Sequence, residues 1–132
     1  MDLKKLDLGA AAEVATEMVV VHPITGEDLL DDVGNKVTIT LYGAESAVVR
    51  NEIKRRAVKH VKSGKQIFDF DDIERKSCEL LALATVDWHG LTENGVDLVC
   101  DKDTVVETYL RYPWLREQVD KFINDRENFW RA

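Results

Sequence analysis

Residues 36–42 constrain the fold of this chain more than any other segment, because apolar and polar side chains alternate there with a period of two. The apolar set is Val37, Ile39 and Leu41, and the polar set is Thr38, Thr40 and Tyr42. This is the pattern of a half-buried antiparallel β-strand. A short β-branched run at 18–21 ends at His22 and Pro23 and supplies a partner strand. We predict a β-hairpin over residues 17–42 in a small N-terminal antiparallel sheet of two or three strands.

Such a sheet is marginal alone and needs helices to cover it. Apolar spacing predicts about four helices, over residues 44–62, 70–86, 103–111 and 113–130. We expect two apolar stripes to pack inward: Val49, Ile53, Ala57 and Val61 on the first helix, and Phe70, Ile73, Ser77, Leu80, Leu81 and Ala84 on the second. Asp103 is the predicted N-cap of the third helix, and Pro113 suits the first turn of the fourth. Residues 17–132 thus form one helix-dominated α+β domain after a flexible lead-in, 1–16.

The connection after the second helix is rich in turn signals. Gly90 and Gly95 can supply positive φ angles, so residues 88–96 are predicted to be turns. Val96, Leu98 and Cys100 alternate, which favours a short extended piece there.

Composition places the chain among soluble single-domain proteins, with 132 residues, 45% hydrophobic and 33% charged. The two cysteines, Cys78 and Cys100, have no CxxC spacing and are expected to be reduced, partly buried thiols. The N-terminus lacks the apolar core of a signal peptide, and no run is long enough to span a bilayer. We expect a cytoplasmic protein that does not enter a membrane.

Charge is distributed unevenly along the chain. Residues 50–65 hold seven Lys and Arg against one Glu, a net charge of +6, which leaves −13 for the remainder of a chain whose net charge is −7. Four of these cations, Arg50, Lys54, Arg55 and Lys59, are candidate partner-binding residues. A solvated face, a contact with an acidic protein, and nucleic-acid binding all remain open for this helix, although the acidic remainder would repel phosphate.

Catalytic motifs are not present in the sequence. It contains no GxxxxGK[ST], GxGxxG, HExxH or GxSxG, and the histidines His22, His60 and His89 have no motif around them. Acidic clusters such as 69–72 and 101–103 fit helix capping and turns better than metal binding. We therefore expect no enzymatic activity, no cofactor and no metal site.

Aromatic side chains near loops are candidates for a protein interface. Trp88, Tyr112 and Trp114 flank the predicted loops, and Trp and Tyr are favoured interface anchors. With Leu91 and Leu115, they form the predicted apolar part of a partner-binding surface.

Two stretches of the sequence, taken together, resemble a known family. The first is His22-Pro23-Ile24-Thr25-Gly26 followed by Val37-Thr38-Ile39-Thr40-Leu41-Tyr42-Gly43; the second is Trp88-His89-Gly90-Leu91 ahead of Tyr112-Pro113-Trp114-Leu115-Arg116-Glu117-Gln118-Val119. In this order they resemble the tail assembly chaperones of long-tailed, siphophage-type bacteriophages. The resemblance implies a protein that binds the tape measure protein, keeps it soluble and extended, and recruits tail tube subunits of the major tail protein.

The family resemblance also implies a location and a mode of action. The protein would act in the host cytoplasm, be absent from the mature virion, and carry no catalytic residue. We expect a weak homo-oligomer, because many copies along one client give avidity without tight single contacts. Two alternatives are a structural phage protein such as a head–tail connector, and a small nucleic-acid-binding regulator that uses the basic helix 50–65.

Overall fold

The computed structural model describes residues 1–63 and 69–130. In these residues the α-helices are α1 (Leu8–Ala12), α2 (Ala47–Ser63), α3 (Phe70–Ala84), α4 (Lys102–Arg111) and α5 (Pro113–Asn124). The strands are β1 (Thr16–Val19), β2 (Thr38–Leu41), β3 (Thr85–His89), β4 (Thr92–Glu93) and β5 (Val96–Asp97), and single 3₁₀ turns lie at Leu3–Leu6 and Arg126–Asn128. The predicted α+β class is confirmed, with one helix more than expected because α1 lies in the segment predicted to be a lead-in.

The central sheet has the order β1-β2-β3, and both pairings are antiparallel. Ile39 lies opposite Met18 on one side and Trp88 on the other. The alternation in residues 36–42 is confirmed, because Val37, Ile39 and Leu41 are all buried. Between β1 and β2 the chain makes two tight turns, at Gly26 and Gly34, which both have positive φ angles. The sheet therefore begins as the hairpin that the sequence pattern indicates.

The third strand corrects the prediction of a purely N-terminal sheet. The helix predicted to reach residue 86 ends at Ala84, and Trp88 and His89 lie in β3 and not in a turn. Thr85 and Val86 are β-branched residues that favour extended backbone, and β2 offers them an open edge. A register shift between Thr40 and Leu41 accommodates the start of β3. The sheet is thus completed by a segment that follows two helices.

Helix α3 lies at the centre of the helical layer and packs on α2, α4 and α5. Its buried residues include Cys78, Leu81 and Ala84, which join a core with the inward face of the sheet. The hydroxyl of Tyr109, a fully buried residue of α4, lies 2.7 Å from Thr85 Oγ1. This contact fixes α4 against the junction between α3 and β3.

The start of α4 and the end of α5 also differ from the prediction. Asp101, and not Asp103, caps α4, since its carboxylate accepts the N–H of Thr104 at 2.8 Å. The predicted helix 113–130 ends at Asn124, because Asp125 is extended and its carboxylate caps the following 3₁₀ turn. Both corrections reflect the preference of Asp for N-caps, which the pattern indicated without selecting the residue.

Part of the segment predicted to be a lead-in packs on the domain. Ala12 is buried, and the N–H of Gly43 donates to the carbonyl oxygen of Ala12 at 3.0 Å. The Glu13 carboxylate accepts the N–H of Ala47, the first residue of α2. A distant side chain therefore satisfies one of the free N–H groups at the start of this helix.

Candidate functional site

Two of the five residues predicted to form the apolar part of the partner-binding surface are buried. Trp88 is 9% exposed and its indole N–H donates to the carbonyl oxygen of Leu98 at 2.8 Å. Leu115 is only 2% exposed. The prediction that these two side chains are exposed is wrong, because β3 and α5 turn them into the core instead of flanking a loop.

The other three positions are partly buried and pack against the core. The Tyr112 hydroxyl donates to a carboxylate oxygen of Glu93 at 2.7 Å, and Arg111 contacts the other oxygen of that carboxylate at 2.8 Å. The Tyr112 hydrogen bond and the Arg111 cation both lower the pKa of Glu93. Tyr112 thus anchors the β4–β5 hairpin to the end of α4, while Leu91 and Trp114 contribute partial apolar exposure beside it.

The four basic candidates Arg50, Lys54, Arg55 and Lys59 are all exposed on α2. The guanidinium of Arg55 pairs with Glu52, which lowers the pKa of that carboxyl. Arg56 is held toward α3, where it donates to the carbonyl oxygen of Lys76 at 2.9 Å. Within residues 1–63 and 69–130, no ion pair within 4 Å involves Arg50, Lys54 or Lys59. Three of the four candidates therefore keep their charge available to a partner.

Two apolar helix faces lie open, contrary to the predicted packing. On α2, Val49 is buried but Ile53 is 49% and Val61 80% exposed. On α3, Phe70 is 75% and Ile73 51% exposed, although both have the spacing of a packed stripe. The helices meet the core only through the end of each that lies near the sheet. We call Ile53, Val61, Phe70 and Ile73 the open apolar faces.

A groove of about 540 Å³ lies on another part of the surface, between the turn before β2 and the segment from β3 to Cys100. Four aspartates line it: Asp31, Asp32, Asp87 and Asp97. We call this cavity the acidic groove. His89 Nε2 lies 2.8 Å from a carboxylate oxygen of Asp31, and this contact is the largest cause of the lowered Asp31 pKa. The other three aspartates make no ion pair within the described residues, so the groove keeps a negative charge.

Apolar side chains accompany these carboxylates. Leu30 is 58% and Val33 79% exposed at the edge of the acidic groove, and Leu91 and Leu98 also line it. The combination of open carboxylates and exposed apolar side chains is suited to contact with a surface that is both basic and apolar.

Cys78, Cys100 and His22 are each held by local interactions in the described part of the chain. Burial and the nearby Asp87 and Asp101 carboxylates raise the pKa of Cys100, which keeps its thiol protonated at neutral pH. Buried Cys78 accepts a hydrogen bond from Arg116 Nη1 at 3.3 Å. His22 is engaged in its own turn, where Nδ1 accepts the N–H groups of Ile24 and Thr25. Among the described residues, no group of three His, Cys, Asp or Glu side chains is arranged to hold a metal ion.

In comparisons with known proteins, the chain matches no family model, no curated protein and no solved structure. In the described part of the chain, no helix combines the length and the apolar character required for crossing a membrane.

Sequence reasoning found the basic helix but missed the acidic groove. Its aspartates come from three separate segments, and the Asp31–His89 contact joins residues 58 positions apart. No local pattern marks such a cluster, because it exists only once β2 and β3 are paired.

Proposed function

We propose that this protein is a tail assembly chaperone of a long-tailed bacteriophage, which binds the tape measure protein in the host cytoplasm and keeps it soluble and extended. The sequence resemblance supplies the specific assignment. The observation that supports it best is the pair of open apolar faces, with Phe70 and Val61 among the most exposed large apolar side chains of the chain.

A helical client needs its apolar side chains covered while it remains extended. A long amphipathic helix aggregates through its apolar stripe, and a chaperone must offer that stripe an apolar surface of its own. Ile53 and Val61 on α2 and Phe70 and Ile73 on α3 present such side chains at helical spacing. Each copy covers only a few residues of the client, so single contacts are weak and the tail tube protein can displace them. Many copies on one client then supply avidity.

Co-expression with the tape measure protein of the encoding phage or prophage tests this proposal. The wild-type chain should keep the client in the soluble fraction. Phe70→Ser with Ile73→Ser should weaken client binding about thirtyfold and so lower the amount of soluble client, since each lost interface anchor costs on the order of 1 kcal/mol. A matched control is Ile24→Ser with Val96→Ser, which alters residues that are 86% and 68% exposed on other parts of the surface.

Two results would contradict the proposal. One is a client that precipitates to the same extent with and without the wild-type chain. The other is the recovery of this polypeptide from purified virions in stoichiometric amounts, which would favour a structural role such as a head–tail connector.

A nucleic-acid-binding regulator is the second candidate, because the exposed Arg50, Lys54 and Lys59 of α2 form no ion pair with any residue that the structure describes. Phosphate contacts by Arg50, Lys54 and Lys59 would make the affinity strongly dependent on salt. A gel shift with duplex DNA at physiological ionic strength that is lost in Lys54→Ala with Lys59→Ala would favour this candidate. We expect no shift, since the net charge outside the basic segment is strongly negative.

A further inference from the structure

One side of α2 carries cations around an apolar centre. Four residues follow each other along α2 at intervals of four: Arg50, Lys54, Val58 and Lys62. They extend for about 18 Å along the helix, and each lies slightly further round the helix axis than the one before, because one turn takes 3.6 residues. All four are exposed, Val58 by 55%. Within the described residues, none of the three cations forms an ion pair. We call these four residues the basic stripe.

The acidic groove has the complementary character. Asp32, Asp87 and Asp97 are its three carboxylates without an ion pair in the described chain, and the exposed Leu30 and Val33 lie beside them. The fourth, Asp31, is already engaged by His89. Three cations around one apolar side chain thus correspond to three carboxylates beside two apolar side chains.

We propose that the basic stripe of one copy docks in the acidic groove of a second copy, so that the chain associates with itself head to tail. Charge selects this arrangement. A symmetric dimer that joined two basic stripes or two acidic grooves would bring like charges together, which is unfavourable. A stripe in a groove pairs opposite charges and buries Val58 against Leu30 and Val33.

This geometry has a consequence for assembly. A two-fold dimer would need the stripe and the groove side by side on one face, so that each pairs with the other copy at once; the groove instead lies between the turn before β2 and the segment from β3 to Cys100, and the stripe lies along α2. For surfaces on separate parts of the molecule the interface is heterologous, and each added copy leaves one stripe and one groove free. Unless the rotation between copies closes a ring, the assembly grows as an open chain. The inference stands apart from the proposed function, because it uses other residues than the open apolar faces.

Sedimentation velocity with two neutralised variants tests it. Lys54→Ala with Lys62→Ala disables the stripe, and Asp87→Asn with Asp97→Asn disables the groove while leaving an acceptor for the N–H of Trp88, which Asp87 Oδ1 accepts at 2.9 Å. Each variant alone should show a dissociation constant about tenfold higher than wild type, as expected for the loss of two exposed charge pairs. Mixed at a concentration between the wild-type and variant dissociation constants, they should form mainly a 1:1 complex, because one variant keeps its groove and the other its stripe, while further growth would have to use the weakened surfaces.

Matched controls carry the same charge changes elsewhere. Lys4→Ala with Lys121→Ala and Glu117→Gln with Asp120→Asn should associate like wild type, and wild-type association should weaken as salt rises. The proposal is overturned by a wild-type chain that stays monomeric up to about 1 mM, a concentration at which weak complexes are half formed. It is also overturned if the stripe and groove variants associate normally, or if their mixture yields no 1:1 complex.

Folding and client binding are measured separately from self-association. Circular dichroism establishes that each variant is folded. If the proposed function is wrong, the Phe70 and Ile73 variants leave the amount of soluble client unchanged while head-to-tail association persists. If the head-to-tail proposal is wrong, the stripe and groove variants associate like wild type while the soluble-client assay still gives the expected loss.

Discussion

Replacement of Gly43 by Ala tests the packing of the N-terminal segment on the domain. A Cβ atom at Gly43 would lie 2.8 Å from Ala12 Cβ, 3.2 Å from Ala12 Cα and 3.3 Å from Phe129 Cδ2. The first distance is too short for two carbon atoms, and the backbone cannot separate freely because the N–H of Gly43 donates to the carbonyl oxygen of Ala12. The substitution must therefore displace α1 or strain the junction before α2.

The magnitude follows from two opposing effects. Overpacking of this kind costs about 1–3 kcal/mol. Loss of glycine flexibility in the unfolded chain offsets about 0.4–1 kcal/mol of that, since Gly43 does not need a positive φ angle. We expect Gly43→Ala to lower the free energy of unfolding by about 1–2 kcal/mol in urea titrations, with an unchanged m-value.

A double-mutant cycle separates this steric clash from other effects. Ala12→Gly removes the opposing methyl and by itself should cost about 1–2 kcal/mol, from lost burial and added backbone freedom. In the double variant the new methyl enters the space that was vacated, so the two costs should fall short of additivity by about 1 kcal/mol.

Gly9→Ala is the matched control in the same region. Its Cβ atom would lie 3.5 Å from Asp7 Oδ1 and 3.9 Å from the carbonyl oxygen of Glu45, which are ordinary contacts. Because Gly9 is within α1, this substitution should stabilise the protein by about 0.4–1 kcal/mol. Additive costs in the cycle, or equal effects of the substitutions at positions 9 and 43, would refute the reasoning.

Two further predictions concern single side chains. Gln118 holds the segment that follows β1, since its amide donates to the carbonyl oxygen of Val21 at 2.8 Å and its Oε1 accepts the N–H of Val21 at 3.1 Å. Gln118→Ala should cost about 1–2 kcal/mol of unfolding free energy, and Gln118→Glu at least as much because it sets an acceptor against that carbonyl. A Gln118→Glu variant as stable as wild type would contradict this. The backbone N–H of Thr104 lowers the pKa of Asp101 in the folded state. The stabilisation from this carboxylate is therefore fully present above the unfolded pKa of about 4 and is lost as pH falls from there through the lowered folded pKa. Asp101→Asn, which keeps the cap, should lose less stability than wild type between pH 7 and pH 3 in urea unfolding; an identical loss would show that this carboxylate is not involved.

The strand over β2 and the class of the fold could be predicted from sequence because alternation is a local property. Val37, Ile39 and Leu41 share one face in any extended conformation, whatever packs on it. The same holds for the helical spacing within α4 and α5. Helix boundaries cannot be predicted to the residue, since whether Asp101 or Asp103 caps α4 depends on backbone angles that the pattern does not contain.

The candidate surfaces could not be predicted in the same way. Spacing states which side chains share a helix face, but it does not state whether anything covers that face. Val49 and Val61 belong to one stripe of α2, yet only Val49 reaches the core. Trp88 presents the opposite case, because a residue expected in a loop is buried once β3 pairs with β2.

For this protein, the sequence by itself determined the α+β class, the hairpin that starts the sheet, and the concentration of positive charge on α2. These depend on neighbours along the chain. Only the tertiary structure decided that β3 completes the sheet, that Trp88 and Leu115 are core residues, and that Asp32, Asp87 and Asp97 share a groove. The physical reason is that burial and charge clustering arise from segments distant in sequence, which are brought together by strand pairing and helix packing.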